Sequence, residues 1–279
     1  METENLPVSP ETEKRSCVCG ASKDAMVIAG AILLGSLIIA GVLFMTLWKP
    51  VSESAVPTTK QEEAKKPEKP EVTMDAIKAL FNERNLVFGD KESKVLFVEF
   101  SDPSCPYCHV AAGKNPNLNK KIGTQFTMVK DGGAYVPPVL EMKKLVDAGK
   151  AGFVWLYTNG HGNGEMGTKA MYCAHEKGKF WEVHDLLMSA AGYDVLNTTV
   201  KNEKSKANVL ANFLKSAVAP TDMRSCLESG RYDDRIAENS AAAGSLGVGG
   251  TPNFFVNTAN FTGAYSFKDM QPIVDQYLQ

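Results

Sequence analysis

The sequence predicts an α/β domain interrupted by an inserted all-helical subdomain and carried behind one transmembrane helix and a flexible linker. Three stretches predict it. An apolar run, Val95 to Phe100, has the length and composition of a buried strand. It feeds the turn Ser101-Asp102-Pro103-Ser104-Cys105-Pro106-Tyr107-Cys108-His109 and then a segment able to form a helix. Residues 168–246 read as one helix after another, too many for strand and helix to alternate, before a further apolar strand around Phe254. Residues 25–48 carry no charge and are rich in Ile, Leu, Val and Ala. As a helix they reach ~36 Å, enough to cross a ~30 Å hydrocarbon core with some tilt.

The 279 residues, 44% hydrophobic and 22% charged, allow one large domain or two small ones. A net charge of -2 gives no basic field for nucleic acid and no acidic solvating tail.

Residues 1–24 form a polar N-terminal tail. Its Cys17 and Cys19 read as incidental thiols of a disordered tail, with lipid attachment as the alternative; the tail holds too few ligands for a metal. The apolar stretch at 25–48 is too long and too far from the N-terminus for a cleavable signal peptide, and it has no polar face. Lys14, Arg15 and Lys23 precede it, whereas Lys49, Lys60, Lys65, Lys66 and Lys69 follow, which by itself leans against export of the C-terminal domain. Long domains, however, cross largely regardless of charge, and paired cysteines persist in oxidising compartments. The expectation is a single-pass cell-membrane protein with a cytoplasmic N-terminus and an extracytoplasmic domain. Residues 49–73, mostly Pro, Glu, Lys, Ser and Thr, are the linker.

The folded domain is expected at 74–279. Thr73 caps a helix through Ala76, Ile77, Leu80 and Phe81, and a short connection reaches the strand at Val95. Cys105 then opens the next helix, where free amides and the helix dipole favour a negative charge. Its thiol is expected to ionise well below the ordinary ~8.5 and to be the exposed, attacking sulfur. Cys108, one turn on, is near enough for a disulfide but turned inward, as a resolving thiol must be. Pro106 costs no hydrogen bond at the first helical position and stiffens the pair.

Lys114 to Gly133 shows no readable pattern. Pro137-Pro138 open an amphipathic helix over Val139 to Ala148, stopped at Gly149. Phe153 to Tyr157 is an apolar strand, and Thr158 to Gly167 a glycine-rich loop in which His161 is solvated. The helical block divides into 170–176, 180–190, 206–217, 221–228 and 231–243. The stripe Phe180, Trp181, His184, Leu187, Met188 is core rather than a cofactor pocket, with His184 satisfied or exposed beside it. No haem, flavin or nucleotide fingerprint is present. Glycines at 247, 249 and 250 with Thr251-Pro252 make a tight turn, for which a cis peptide bond is one solution, before the strand Asn253 to Val256. A helix from Ser266 to Leu278 closes the chain.

Taken in this order, the strand-CPYC-helix unit, the long helical block and the GGTPNFFVN segment resemble the DsbA-like thiol-disulfide oxidoreductases, thioredoxin folds with a helical insertion, over about Val95 to Leu278. The resemblance implies a cis Pro252 packed against the Cys105 sulfur, leaving Thr251 backbone to pair with an extended substrate; Pro106, Tyr107, Thr251 and Pro252 are the candidate substrate-binding set. It implies that Glu99 is a buried acid with a raised pKa, able to relay a proton to or from Cys108. A wet strand end, with Glu99 facing solvent, is the alternative. Cys173 and Cys226 are implied to be a structural disulfide within the insertion, the alternative being two free buried thiols. Lys114 to Gly149 is longer than a minimal member needs.

The chemistry implied is oxidation of cysteines in exported proteins, with the Cys105-Cys108 disulfide as the redox group, no other cofactor and no metal, and with reoxidation by a membrane quinone-linked partner. Two alternatives stand beside it. One is a reductase or isomerase on the same fold, as in cytochrome maturation, since CPYC also occurs in glutaredoxins. The other is a zinc-binding adaptor using Cys105, Cys108, Cys173 and Cys226.

Overall fold

The computed structural model describes residues 71–279. The expected tail with Cys17 and Cys19, the expected span at 25–48 and nearly all of the linker lie outside the described residues. Among the described residues no helix is long and apolar enough to cross a membrane.

Two strands of unbroken burial, β2 (Val95–Ser101) and β3 (Ala151–Tyr157), lie parallel at the middle of the sheet, Val95 opposite Ala151 and Ser101 opposite Tyr157. Their sequences lack polar alternation because both faces of the sheet are covered. β4 (Asn253–Val256) runs antiparallel on the other side of β2, and β5 (Ala259–Thr262) antiparallel to β4. β1 (Leu86–Phe88) pairs antiparallel with β3, giving the order β1-β3-β2-β4-β5. The left-handed Asn257 (φ 52°) turns β4 into β5. Its amide side chain fixes that conformation, accepting from the Leu96 N–H at 2.8 Å and donating to the Lys94 carbonyl at 3.1 Å.

Successive β2 residues point to opposite faces. Leu96, Val98 and Phe100 join Ile77, Leu80 and Phe255 in one apolar layer, whereas Val95 and Phe97 join Phe153, Trp155 and Phe254 in the larger core under the helical subdomain. Glu99 belongs by its parity to the second set.

Thr73 caps α1 (Met74–Ala79), accepting from the Ala76 N–H at 3.2 Å. After β2 come α2 (Pro106–Ala112) and α3 (Pro116–Ile122), each with proline in its first turn. The stretch without a readable pattern therefore has structure: α3, two short 3-10 turns and a bridge between Met128 and Tyr135. α4 (Pro138–Asp147) leads into β3. The helical subdomain holds α5 (Glu165–His175), α6 (Phe180–Leu187), α7 (Ala190–Asp194) continuing as a π-helical turn (Val195–Val200), α8 (Ala207–Phe213), α9 (Pro220–Ser229) and α10 (Asp233–Ser245). It starts three residues before the expected boundary, and helix continues over 191–200, between the expected helices 180–190 and 206–217. A disulfide joins Cys173 of α5 to Cys226 of α9, with Cα atoms 6.1 Å apart. His184 is buried, not exposed, and stacks on Phe180 at 5.7 Å. Ser266 and Asp269 form a capping box that starts α11 (Phe267–Leu278).

Candidate active site

β2 delivers the chain to the turn Asp102-Pro103-Ser104, and α2 starts one residue later. Cys105 is the N-cap of α2 in an extended conformation, and Pro106 occupies the first helical position, where no N–H is needed. Across from this helix start, the Thr251-Pro252 peptide bond is cis. The Cys105 thiol donates to the Thr251 carbonyl at 3.5 Å, so two segments 146 residues apart meet at one sulfur.

The two thiols are free and differ in environment. The hydrogen bond from the Cys108 thiol, helped by the backbone N–H groups of Cys108 and Tyr107, lowers the Cys105 pKa to about 6 against the opposing effect of burial. Cys108 is fully buried, and burial first, then the neighbouring Cys105, pushes its thiol well up. The Cys108 sulfur accepts the Asp102 N–H at 3.4 Å. One expectation needs correction: Cys105 is only 4% exposed. Met188, brought by the helical subdomain, packs with Cys105, Cys108 and Ala112, a cover that no local pattern announces. Tyr107, between the cysteines, is the exposed residue of the turn at 46%.

Glu99 has no exposure at all, so the alternative of a solvent-facing strand end does not hold. Neither carboxyl oxygen has a hydrogen-bond partner. Burial raises its pKa to about 8, with the nearby Ser101 hydroxyl opposing. The register sets it directly opposite Trp155 on one side and Phe254 on the other.

The site contains residues that sequence reasoning passed over. The buried Asp102 carboxylate accepts four hydrogen bonds: the Ser104 N–H and hydroxyl on Oδ1, both at 2.7 Å, and the Gly160 and His161 N–H groups on Oδ2 at 2.9 and 2.8 Å. Ser104 in turn receives the Asn163 N–H at 3.1 Å on its hydroxyl and the Asn197 side-chain amide at 3.1 Å on its carbonyl. The glycine-rich loop after β3 is thus fastened to the cysteine turn. A Cβ at Gly160 would lie 1.7 Å from the Thr251 hydroxyl oxygen, so that position needs glycine for close approach. The available signal was Asp followed two residues later by Ser, an Asx-type turn.

Among the described residues no three of His, Cys, Asp and Glu are placed to hold a metal. Cys173 and Cys226 are bonded to each other and supply no ligands, which removes the four-cysteine zinc reading.

A family model described as thioredoxin matches residues 139–276, a stretch that starts beyond the two cysteines. The chain is 29% identical over 195 residues to the Na(+)/H(+) antiporter NhaA 3 of Salinispora tropica, a match covering 69% of this chain and 24% of that one. It therefore spans about a quarter of the length of the first curated relatives it matches. A provisionally named protein-disulfide oxidoreductase of Rickettsia felis is 24% identical over 230 residues, covering 80% of this chain and 70% of that one. Among solved structures, alpha-DsbA1 of Wolbachia pipientis superposes with a TM-score of 0.53 at 15% identity, covering 72% of this chain and 96% of that one. The catalytic domain of Proteus mirabilis ScsC gives 0.50 at 17% identity, covering 74% and 99%. The described domain has a thioredoxin-like α/β fold with a mixed sheet.

Proposed function

We propose that the protein is a membrane-anchored thiol-disulfide oxidoreductase that introduces disulfides into exported proteins through Cys105 and Cys108. The observation that carries the reading is the meeting of a low-pKa thiol at a helix start with the cis Thr251-Pro252 turn, above a buried partner thiol. The name of the Rickettsia felis relative supports it; the antiporter name is not carried over, because the shared stretch is a quarter of those chains.

In the oxidised enzyme a substrate thiolate attacks the Cys105 sulfur. The Cys105-Cys108 bond breaks, its electron pair goes to Cys108, and Cys108 takes up a proton. Glu99, protonated at neutral pH, is the proposed source of that proton. A second substrate thiolate then attacks the substrate sulfur of the mixed disulfide and releases Cys105 as a stabilised thiolate. Pro106 and the exposed Tyr107 on one side, and Thr251 and Pro252 on the other, form the substrate-binding edge. The redox-active disulfide is the only redox group the reaction requires.

Direction follows from the thiolate. Stabilising it favours the reduced enzyme and makes the disulfide a stronger oxidant, by ~30 mV for each ~1.4 kcal/mol. The uncharged stretch at 25–48 anchors the protein with the catalytic domain outside the cytoplasm, and a membrane quinone-linked partner reoxidises it. Equilibration of the full-length protein with glutathione tests the direction. The oxidase reading expects a potential nearer to that of protein disulfide isomerase, about -180 mV, than to that of thioredoxin, about -270 mV. A value near the latter would establish the reductase reading.

A further inference from the structure

His109, the residue after the second cysteine, is fully buried with each ring nitrogen 2.8 Å from a main-chain carbonyl oxygen. Nδ1 faces the Met188 carbonyl at the end of α6, and Nε2 faces the Pro103 carbonyl in the turn before Cys105. A carbonyl only accepts, and a neutral imidazole has only one N–H to give. The neutral ring would therefore hold a nitrogen lone pair against an oxygen lone pair. Both contacts are attractive only in the cation.

We propose that His109 is an imidazolium in the reduced protein, a positioning residue that clamps the cysteine turn to the helical subdomain and serves as the counter-charge of the Cys105 thiolate one helical turn away. The proposal rests on the exchange role assigned to Cys105 above, because the structure is that of the free-thiol form, in which a thiolate is available. Cys105 is the N-cap of α2 and its carbonyl accepts the His109 N–H at 3.2 Å, so both residues belong to the first turn of that helix. Burial pushes the imidazole down, and the Pro103 and Met188 carbonyls and the nearby Asp102 carboxylate pull against it, leaving it at about 4; what favours the cation is therefore the geometry of the two carbonyl contacts. His184 on α6 opposes the charge. Its Nδ1 is 3.1 Å from the Asp185 carboxylate, which also pairs with Lys114. From α7, Tyr193 sets its ring edge-on to His109 at 5.0 Å, with no charge of its own at neutral pH. The Cys105 thiolate is the anion that offsets the remaining cost of a buried cation.

The test is nitrogen NMR of the full-length reduced protein labelled with 15N-histidine. Removing His161, His175 and His184 in turn identifies the fourth ring without touching it. The expected result at neutral pH is a pair of His109 ring nitrogens resonating together in the range of the cation; a widely split pair, as in a neutral tautomer, overturns the proposal. A His109→Gln variant that keeps the native circular dichroism gives the second arm. Its Cys105 thiolate absorbance should titrate with a midpoint raised by about one pH unit, the lower end of what a neighbouring charge does. An unmoved midpoint rejects the counter-charge role. Neither readout uses a protein substrate, so inability of the enzyme to oxidise peptides would refute the proposed function and leave this result standing.

Discussion

Replacing Glu99 by Gln removes a buried acid and keeps its shape. The folded carboxyl has a pKa of about 8 against 4.5 in the unfolded chain, because it has no exposure and no hydrogen-bond partner. Between those values the folded protein holds a proton that the unfolded chain has released, so stability falls as pH rises through the window. The stabilising difference is fully present below about 4.5 and lost above about 8. A gap of about 3.5 pH units at 1.36 kcal/mol each is about 5 kcal/mol, an upper figure if water follows the charge inward. Gln cannot ionise, so the variant should gain on the wild type by several kcal/mol between pH ~5 and pH ~9. Urea unfolding of both reduced proteins across that range measures it; the cysteines titrate in both and cancel in the difference. Near pH ~5 the two should agree within about 2 kcal/mol, the range for an imperfectly paired buried amide. Parallel stability curves would refute the reasoning and place a solvated or ionised carboxylate behind the cysteines.

Three further outcomes follow from the same geometry. The Cys173-Cys226 bridge spans a sequence separation of 53. Loop-closure entropy then gives ~4 kcal/mol, so the double Cys→Ala variant should lose about that much in urea unfolding, and a loss below ~1 kcal/mol would contradict it. Thiolate absorbance of the reduced protein should rise with a midpoint at about 6, and Cys108→Ala should move it upward by removing the first hydrogen-bond donor. Because the Cys105 pKa is lowered on folding, its contribution to stability is present above the unfolded thiol's pKa and lost as pH falls through about 6; a midpoint at the ordinary cysteine value would refute this. Gly160→Ala drives a Cβ into Thr251, so exchange with a cysteine peptide should slow roughly tenfold, ~1.4 kcal/mol, with the absorbance midpoint unchanged; wild-type rates would show that the loop does not shape the substrate edge.

The elements legible in the sequence are those whose pattern is local. β2 and β3 are seven-residue strands that show as largely apolar runs, Val95 to Phe100 and Phe153 to Tyr157, and CPYC soon after the first marks a strand-to-helix turn. β1 and β5 were missed because strands of three and four residues are too short to show a period; both become strands by pairing with neighbours already in place. The extra helix at Ala190 and the π-helical turn after it carry no break at their start, Ser189 serving as N-cap within a continuous apolar stretch. At the site, both cysteines, the buried Glu99 and the cis Pro252 lie where the reading put them, whereas the burial of Cys105 depends on Met188, at the end of a helix far along the chain. Asp102, Ser104 and His109 read as ordinary turn and helix residues. Their partners at Gly160, Asn197 and Met188 are assembled only by tertiary folding.

The most direct test of the exchange chemistry is to trap it. Full-length Cys108→Ala, incubated with a cysteine-containing peptide disulfide, should form a stable mixed disulfide that peptide mapping places on Cys105, at a rate that climbs with pH as the thiolate forms, with a midpoint above the wild-type value of about 6 because the Cys108 donor is gone, yet below that of an ordinary thiol. No adduct at Cys105, or a rate that rises only near the ordinary thiol pKa of ~8.5, would contradict the account.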